Sequence, residues 1–206
     1  MLKVYAGLAV VVIAAQLGAV AWYVNSRSAD DPFAPCRQSA VAGGAGDIGG
    51  PFTLVDQTGR TVTEKDILDK PALVYFGYTF CPDVCPMDNL RNVEAVELLR
   101  EKGIDVTPVF ISVDPARDTP EVMADYAMAM DPSMQALTGS AEQVRDAARA
   151  WRVYYKAQEE RDGGYLVDHM TFTYLMHPEH GFLDFFRREL SPGQLAEQVA
   201  CFLDRG

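Results

Sequence analysis

The run Ala72-Leu73-Val74-Tyr75-Phe76-Gly77-Tyr78 constrains this chain more than any other stretch. It is apolar almost without interruption, so it reads as a central strand covered on both faces, not one that alternates between core and water. A strand of that kind needs a layer above and a layer below, which points to an α/β sandwich around a mixed sheet. The surrounding pattern agrees. Phe52 to Val55 and Arg60 to Val62 flank a turn at Asp56-Gln57-Thr58-Gly59 and read as a hairpin. Met87 to Lys102 carries Leu90, Val93 and Val96 at helical spacing, and Val106 to Val113 is a second buried strand. Thr119 followed by Pro120 is an N-cap and first helical residue, opening a helix to about Met130. Glu142 to Trp151 is another amphipathic helix. Tyr154-Tyr155, Tyr165 to Val167, Thr171 to Met176 and Phe182 to Phe186 read as strands, with a turn at Pro178-Glu179-His180-Gly181 and a closing helix from Pro192 to Leu203.

The N-terminal part is different. Val4 to Val24 runs for 21 residues without a charge, and as a helix it would span roughly 30 Å, the hydrocarbon thickness of a bilayer. Trp22 and Tyr23 stand at its far end, where aromatic rings favour the interface. The run exceeds the roughly 7–15 apolar residues of a cleavable signal, so an uncleaved transmembrane anchor is expected despite the small residues Ala19-Val20-Ala21. Lys3 on the near side favours a cytoplasmic 1–3 and an exported remainder. Residues 25–50 are polar, proline-punctuated and glycine-rich, a flexible linker to a domain over 51–206. With 29 acids against 18 bases, a net charge of −11 and no basic block, nucleic-acid binding is excluded as a function class.

The chemistry sits in Gly77-Tyr78-Thr79-Phe80-Cys81-Pro82-Asp83-Val84-Cys85-Pro86, where the buried strand gives way to a helix. Free N–H groups and partial positive charge at a helix start favour thiolate over thiol. Two thiolates four residues apart can bridge each other or share a soft metal such as Cu(I). An ordinary thioredoxin-like reductant has two residues between its cysteines; this chain has three. The peroxidases of that superfamily usually carry threonine or serine three residues before the cysteine and proline four before that, where this chain has Tyr78 and Val74. Of the three histidines, His177 and His180 flank a turn and read as solvated. His169 lies at a break between apolar runs that the strand order brings back beside the cysteine loop, and it is read as a third ligand ahead of a structural histidine.

Three motifs in order, GYTFCPDVCP, ISVDPARDTP and VDH before an apolar strand, resemble the Sco (SenC) family of membrane-anchored copper-binding proteins. The likeness runs from about Gly50 to the C-terminus. It implies a thioredoxin-like α/β fold with an added β-hairpin, preceded here by one N-terminal transmembrane helix. It also implies copper, as Cu(I) and Cu(II), held by Cys81, Cys85 and His169. The implied role is a metallochaperone without turnover that delivers copper to the binuclear centre of cytochrome c oxidase. Its partners would be the copper-bearing oxidase subunit and other periplasmic copper chaperones. The implied location is the bacterial inner membrane, single-pass, with the C-terminal domain in the periplasm. Phe80 departs from the family's frequent histidine at that position. No proline lies between Pro132 and Pro178, so the proline that faces the dithiol in ordinary thioredoxins is missing, with His169 in its neighbourhood. The rival reading is a thiol–disulfide oxidoreductase in which Cys81 and Cys85 reduce a partner's cysteines; a redox or copper sensor would use the same site.

Further expectations attach to single residues. The Asp114–Pro120 loop reads as turn and cap chemistry, with partner docking or redox tuning through Asp118 as the alternative. Asp168 is a candidate to orient the His169 imidazole, although neighbours on a strand face opposite ways. Met123, Met128, Met130 and Met134 read as core filler ahead of thioether ligands. Cys36 and Cys201 are candidates for a disulfide in an oxidising compartment.

Overall fold

The structure is a computed structural model that describes Tyr5 and residues 12–20, 22–23, 31–37, 48–160 and 163–205. The chain divides into two compact units, residues 1–37 with Arg205, and residues 38–204. In the first, residues 12–20 and 22–23 are helical and exposed. Among the described residues no helix is long and apolar enough to cross a membrane. Residues 4, 6–11, 21 and 24 of the expected anchor, and residues 25–30 and 38–47 of the expected linker, lie outside the described set.

The second unit is built on a seven-stranded sheet. Its strands are β1 (Thr53–Asp56), β2 (Thr61–Thr63), β3 (Ala72–Gly77), β4 (Thr107–Ser112), β5 (Gln135–Thr138), β8 (Thr173–His177) and β9 (Gly181–Phe186), in the order β2-β1-β5-β4-β3-β8-β9. Between β5 and β8 the chain forms a separate two-stranded ladder of β6 (Tyr155–Ala157) and β7 (Val167–His169). The helices are α1 (Glu64–Ile67), α2 (Val84–Glu101), α3 (Pro120–Met130), α4 (Ala141–Ala150) and α5 (Pro192–Leu203).

As its unbroken apolar text requires, β3 is buried at every position. It runs parallel to β4 and antiparallel to β8, with Tyr75 opposite Phe110 on one side and Thr173 on the other. Successive side chains leave a strand on opposite faces, so β3 feeds two different environments. On the face of Val74 and Phe76, the Phe76 ring packs on Trp151 at 5.6 Å and on Tyr174 at 6.2 Å, and Phe52 meets Trp151 at 6.3 Å. On the other face, Tyr75 stacks on Phe110, which stacks on Tyr126 at 4.7 Å. That second face carries the cysteines.

Trp151 is fully buried at the end of α4, and its indole N–H donates to the Gly50 carbonyl at 3.3 Å. Truncation there removes the largest side chain of the aromatic core and leaves a cavity. Trp151→Ala is expected to cost about 3–5 kcal/mol in a denaturant titration, and a loss below 1 kcal/mol would mean that the core collapses around the gap.

The structure departs from the sequence reading in a few elements. Strand β5 was not expected: four residues without clear alternation become a strand because β1 and β4 supply hydrogen-bonding edges on both sides. The helix α1 is a single turn held by a capping box, in which the Thr63 backbone and hydroxyl both donate to Asp66 Oδ2. The helix α2 opens at Val84, three residues before the expected Met87, which puts Cys85 inside its first turn. Pro86 is tolerated there because the first N–H groups of a helix have no intrahelical acceptor.

Candidate metal centre

The loop from β3 to α2 presents both cysteines, and the end of β7 presents the histidine. Cys81 follows a turn in which its N–H donates to the Tyr78 carbonyl at 3.3 Å. Cys85 is fully buried in the first turn of α2, and its N–H points at Cys81 Sγ at 3.4 Å. His169 arrives from the β6–β7 ladder, where it pairs with Tyr155. Its Nε2 lies 3.1 Å from Cys85 Sγ. The three ligand atoms lie within 4.8 Å of one another, the only such cluster of histidine, cysteine and carboxylate side chains among the described residues.

Gly77 makes room for this approach. A Cβ built there would lie 3.0 Å from Cys85 Sγ and 2.9 Å from the Phe110 ring. Any side chain at Gly77 would crowd the Cys85 sulfur and the Phe110 and Tyr75 rings, so something at the site would have to shift.

The tautomer of His169 is set from the far side of the ring. Its Nδ1 faces the Met170 carbonyl at 2.8 Å, an oxygen that can only accept. Nδ1 therefore carries the proton and Nε2 presents a lone pair toward the sulfurs. Asp168 does not orient the ring: it is exposed and accepts from Gln158 Nε2 at 2.7 Å on the opposite face of the strand. Tyr78 and Tyr75 meet the imidazole edge-on at 5.8 and 6.1 Å and confine it.

The two thiols are not equivalent. Burial works against the Cys81 thiolate, but hydrogen bonds from the Asp83 and Cys85 backbone and from Cys85 and Tyr78 outweigh it, and its pKa falls. Burial pushes the Cys85 thiol up. Burial also holds the His169 pKa below its ordinary value, which keeps the imidazole neutral and available as a donor. Below Cys85 the Tyr75 hydroxyl donates to the buried Asp88 carboxylate at 3.0 Å, with Arg188 3.7 Å from the other oxygen.

The Asp114–Pro120 loop does lie beside the cysteines, with Thr119 capping the following helix as expected. Asp118 is fully buried, which removes it from any partner surface. Its carboxylate accepts from the Thr79 backbone at 3.1 Å, the Thr79 hydroxyl at 2.6 Å, and the Ser112 hydroxyl. It thus ties the cysteine loop to the end of β4. Asp118→Ala would leave those donors without an acceptor, and is expected to cost about 2–4 kcal/mol of stability. Chemical denaturation measures this; a neutral result would mean that water replaces the carboxylate.

Other residues singled out in the sequence lie elsewhere. Met123 and Met134 are buried in the core, in keeping with their reading as core filler, and Met128 is exposed. His177 and His180 sit together at the β8–β9 turn with ring centroids 4.8 Å apart. Cys36 and Cys201 are each disulfide-bonded, and Cys81 and Cys85 are free thiols.

Two sulfurs and one imidazole form a soft donor set without a carboxylate. Structural zinc sites want four donors, whereas Cu(I) is satisfied by two or three soft ones. The residues present fit copper.

Comparison with known proteins agrees with that chemistry. Residues 40–204 match the SCO1/SenC family. The protein SenC of Rhodobacter capsulatus is 55% identical over 174 residues, covering 84% of this chain and 78% of that one. The mitochondrial SCO1 homolog 1 of Arabidopsis thaliana is 43% identical over 157 residues, 76% of this chain, although the match spans only 47% of that longer protein. Among solved structures, Arabidopsis thaliana ScoI with copper bound superposes with a TM-score of 0.73 at 42% identity, over 76% of this chain and 99% of that one.

Proposed function

Since the chain belongs to the SCO1/SenC family, we propose that it is a copper metallochaperone that carries the metal as cargo and performs no turnover of its own. The observation that carries this reading is the convergence of Cys81 Sγ, Cys85 Sγ and His169 Nε2 within 4.8 Å, with the imidazole already in the tautomer a metal needs. The copper bound by the Arabidopsis relative supports it. Cu(I) binds the two thiolates, and the imidazole completes a three-coordinate site; Cu(II) depends more heavily on the nitrogen. Cys81 is the outer ligand, at 8% exposure against none for Cys85. A receiving protein would therefore displace Cys81 first and draw the metal out by stepwise ligand exchange. The receiver in this proposal is the binuclear copper centre of cytochrome c oxidase. Val4 to Val24 would tether the domain to the bacterial inner membrane with the site on the periplasmic side.

A second reading has its own support in the unequal thiols. A lowered pKa at Cys81 beside a raised one at Cys85 suits disulfide exchange. Cys81 thiolate would attack a partner disulfide and Cys85 would resolve the mixed disulfide, so that two electrons reduce the partner and oxidise the pair. The test is a Cu(I) titration of the reduced full chain in detergent, without oxygen, against a chromogenic competitor. One tightly held equivalent supports the chaperone. Absence of competition, with rapid exchange against a small disulfide, would replace it with the reductase.

A further inference from the structure

Of the three ligands, His169 has the least framework around it. Cys81 lies in the loop that joins the central strand to the longest described helix and Cys85 in that helix's first turn, but His169 belongs to a two-stranded ladder separate from the main sheet. An isolated pair of strands is marginal in water, so its position depends on what fastens it. Val167 is buried and anchors one end. The Val167 backbone is also hydrogen-bonded to the Tyr78 hydroxyl, and a further fastening is Arg117.

The Arg117 guanidinium sits among three aromatic rings from two separate segments. Its Cζ lies 3.7 Å from the Tyr165 centroid, 4.9 Å from Phe80 and 5.6 Å from Tyr78. Phe80 and Tyr78 precede Cys81; Tyr165 precedes the strand that ends in His169. Arg117 Nε is paired with Asp114, whose other oxygen accepts from the Tyr165 hydroxyl at 2.7 Å. Arg117 Nη2 is buried with no hydrogen-bond partner. A guanidinium with one nitrogen on a carboxylate and another left to aromatic faces is placed for stacking, which a planar cation does better than an ammonium. The arrangement also explains why Phe80, 53% exposed, can stand at the rim of the site: its ring covers the cation.

Resting on the copper reading above, we propose that Arg117 is a positioning residue, a clamp that holds the β7 strand bearing His169 against the Cys81 loop before metal arrives. Removing it leaves the cysteines in place and frees the imidazole. The consequence is unequal for the two oxidation states, because two thiolates suffice for Cu(I) while Cu(II) leans on the nitrogen.

The experiment uses the full chain in detergent and the variants Arg117→Met, Arg117→Lys and Tyr165→Leu. Hydrogen exchange of the metal-free proteins reads the clamp directly. Residues 155–170 should exchange about tenfold faster in all three variants, the scale of losing partly desolvated cation–π contacts, with β3 unchanged. Cu(II) affinity should weaken about tenfold and Cu(I) affinity by about two- to threefold. Unaltered exchange over 155–170, rescue by lysine, or equal losses for both oxidation states would overturn the clamp. If the arginine variants also expose β3, Tyr165→Leu decides alone, since it leaves Arg117 and Asp114 intact. A wild-type chain that binds no copper, with the exchange change still seen in the variants, would sink the copper reading and leave the clamp standing.

Discussion

His169→Ala is expected to cost this protein nearly all of its Cu(II) affinity, on the order of a thousandfold or about 4 kcal/mol, and to weaken Cu(I) less. The imidazole is the only nitrogen in the cluster, and its Nε2 lone pair is aimed at the sulfurs by the Met170 carbonyl behind it. Two thiolates remain for Cu(I) when the ring is gone, while Cu(II) loses the donor it favours. The fold should survive, since the ring is only half-buried and its strand pairs through the backbone. Competition titrations in each oxidation state, with the Cu(II) absorption spectrum, measure the split. A variant that binds both ions as tightly as the parent would remove His169 from the site and shift the balance to the reductase.

The cysteines should show a larger loss and a different asymmetry. Either Cys81→Ser or Cys85→Ser leaves one sulfur, and Cu(I) affinity is expected to drop on the order of ten-thousandfold, about 5.5 kcal/mol. The two differ in the reduced, metal-free protein. Cys81 has the lowered pKa and the greater exposure, so a thiol alkylator near neutral pH should label Cys81 first. Cys85, buried and pushed up, should react slowly until the domain opens. Cys85→Ser should therefore form stable mixed disulfides through Cys81, and Cys81→Ser should not. Mass mapping after timed alkylation reads the order, and equal labelling would mean that the loop opens faster than the reagent reacts.

How legible these features were depended on the range of the interactions behind them. The Cys81–Cys85 pair was plain because its spacing is local and the preceding strand announced a strand-to-helix junction. His169 lies 84 residues from Cys85 and entered through strand order and the family likeness. Asp168 was a candidate to support the ring with strand alternation against it, and alternation won. Asp118 was singled out only as an alternative to turn and cap chemistry in its loop, and its buried role as an acceptor for Thr79 and Ser112 needed the fold. Gly77 and Arg117 lay inside the motifs that carried the likeness, but their roles were not readable, since one matters through the space it leaves and the other through rings brought from distant segments.

Sequence alone determined the layered α/β class, the placement of the dithiol at a helix start, and a charge balance unsuited to nucleic acid. Each follows from periodicity, capping or composition, which act over a few residues or over the whole chain at once. Only the tertiary structure decided that β5 completes the sheet, that Cys81 and Cys85 are unequal, and that His169 presents Nε2. Those outcomes come from burial and from hydrogen bonds closed between segments far apart in sequence, and such bonds have no direction until the chain has folded.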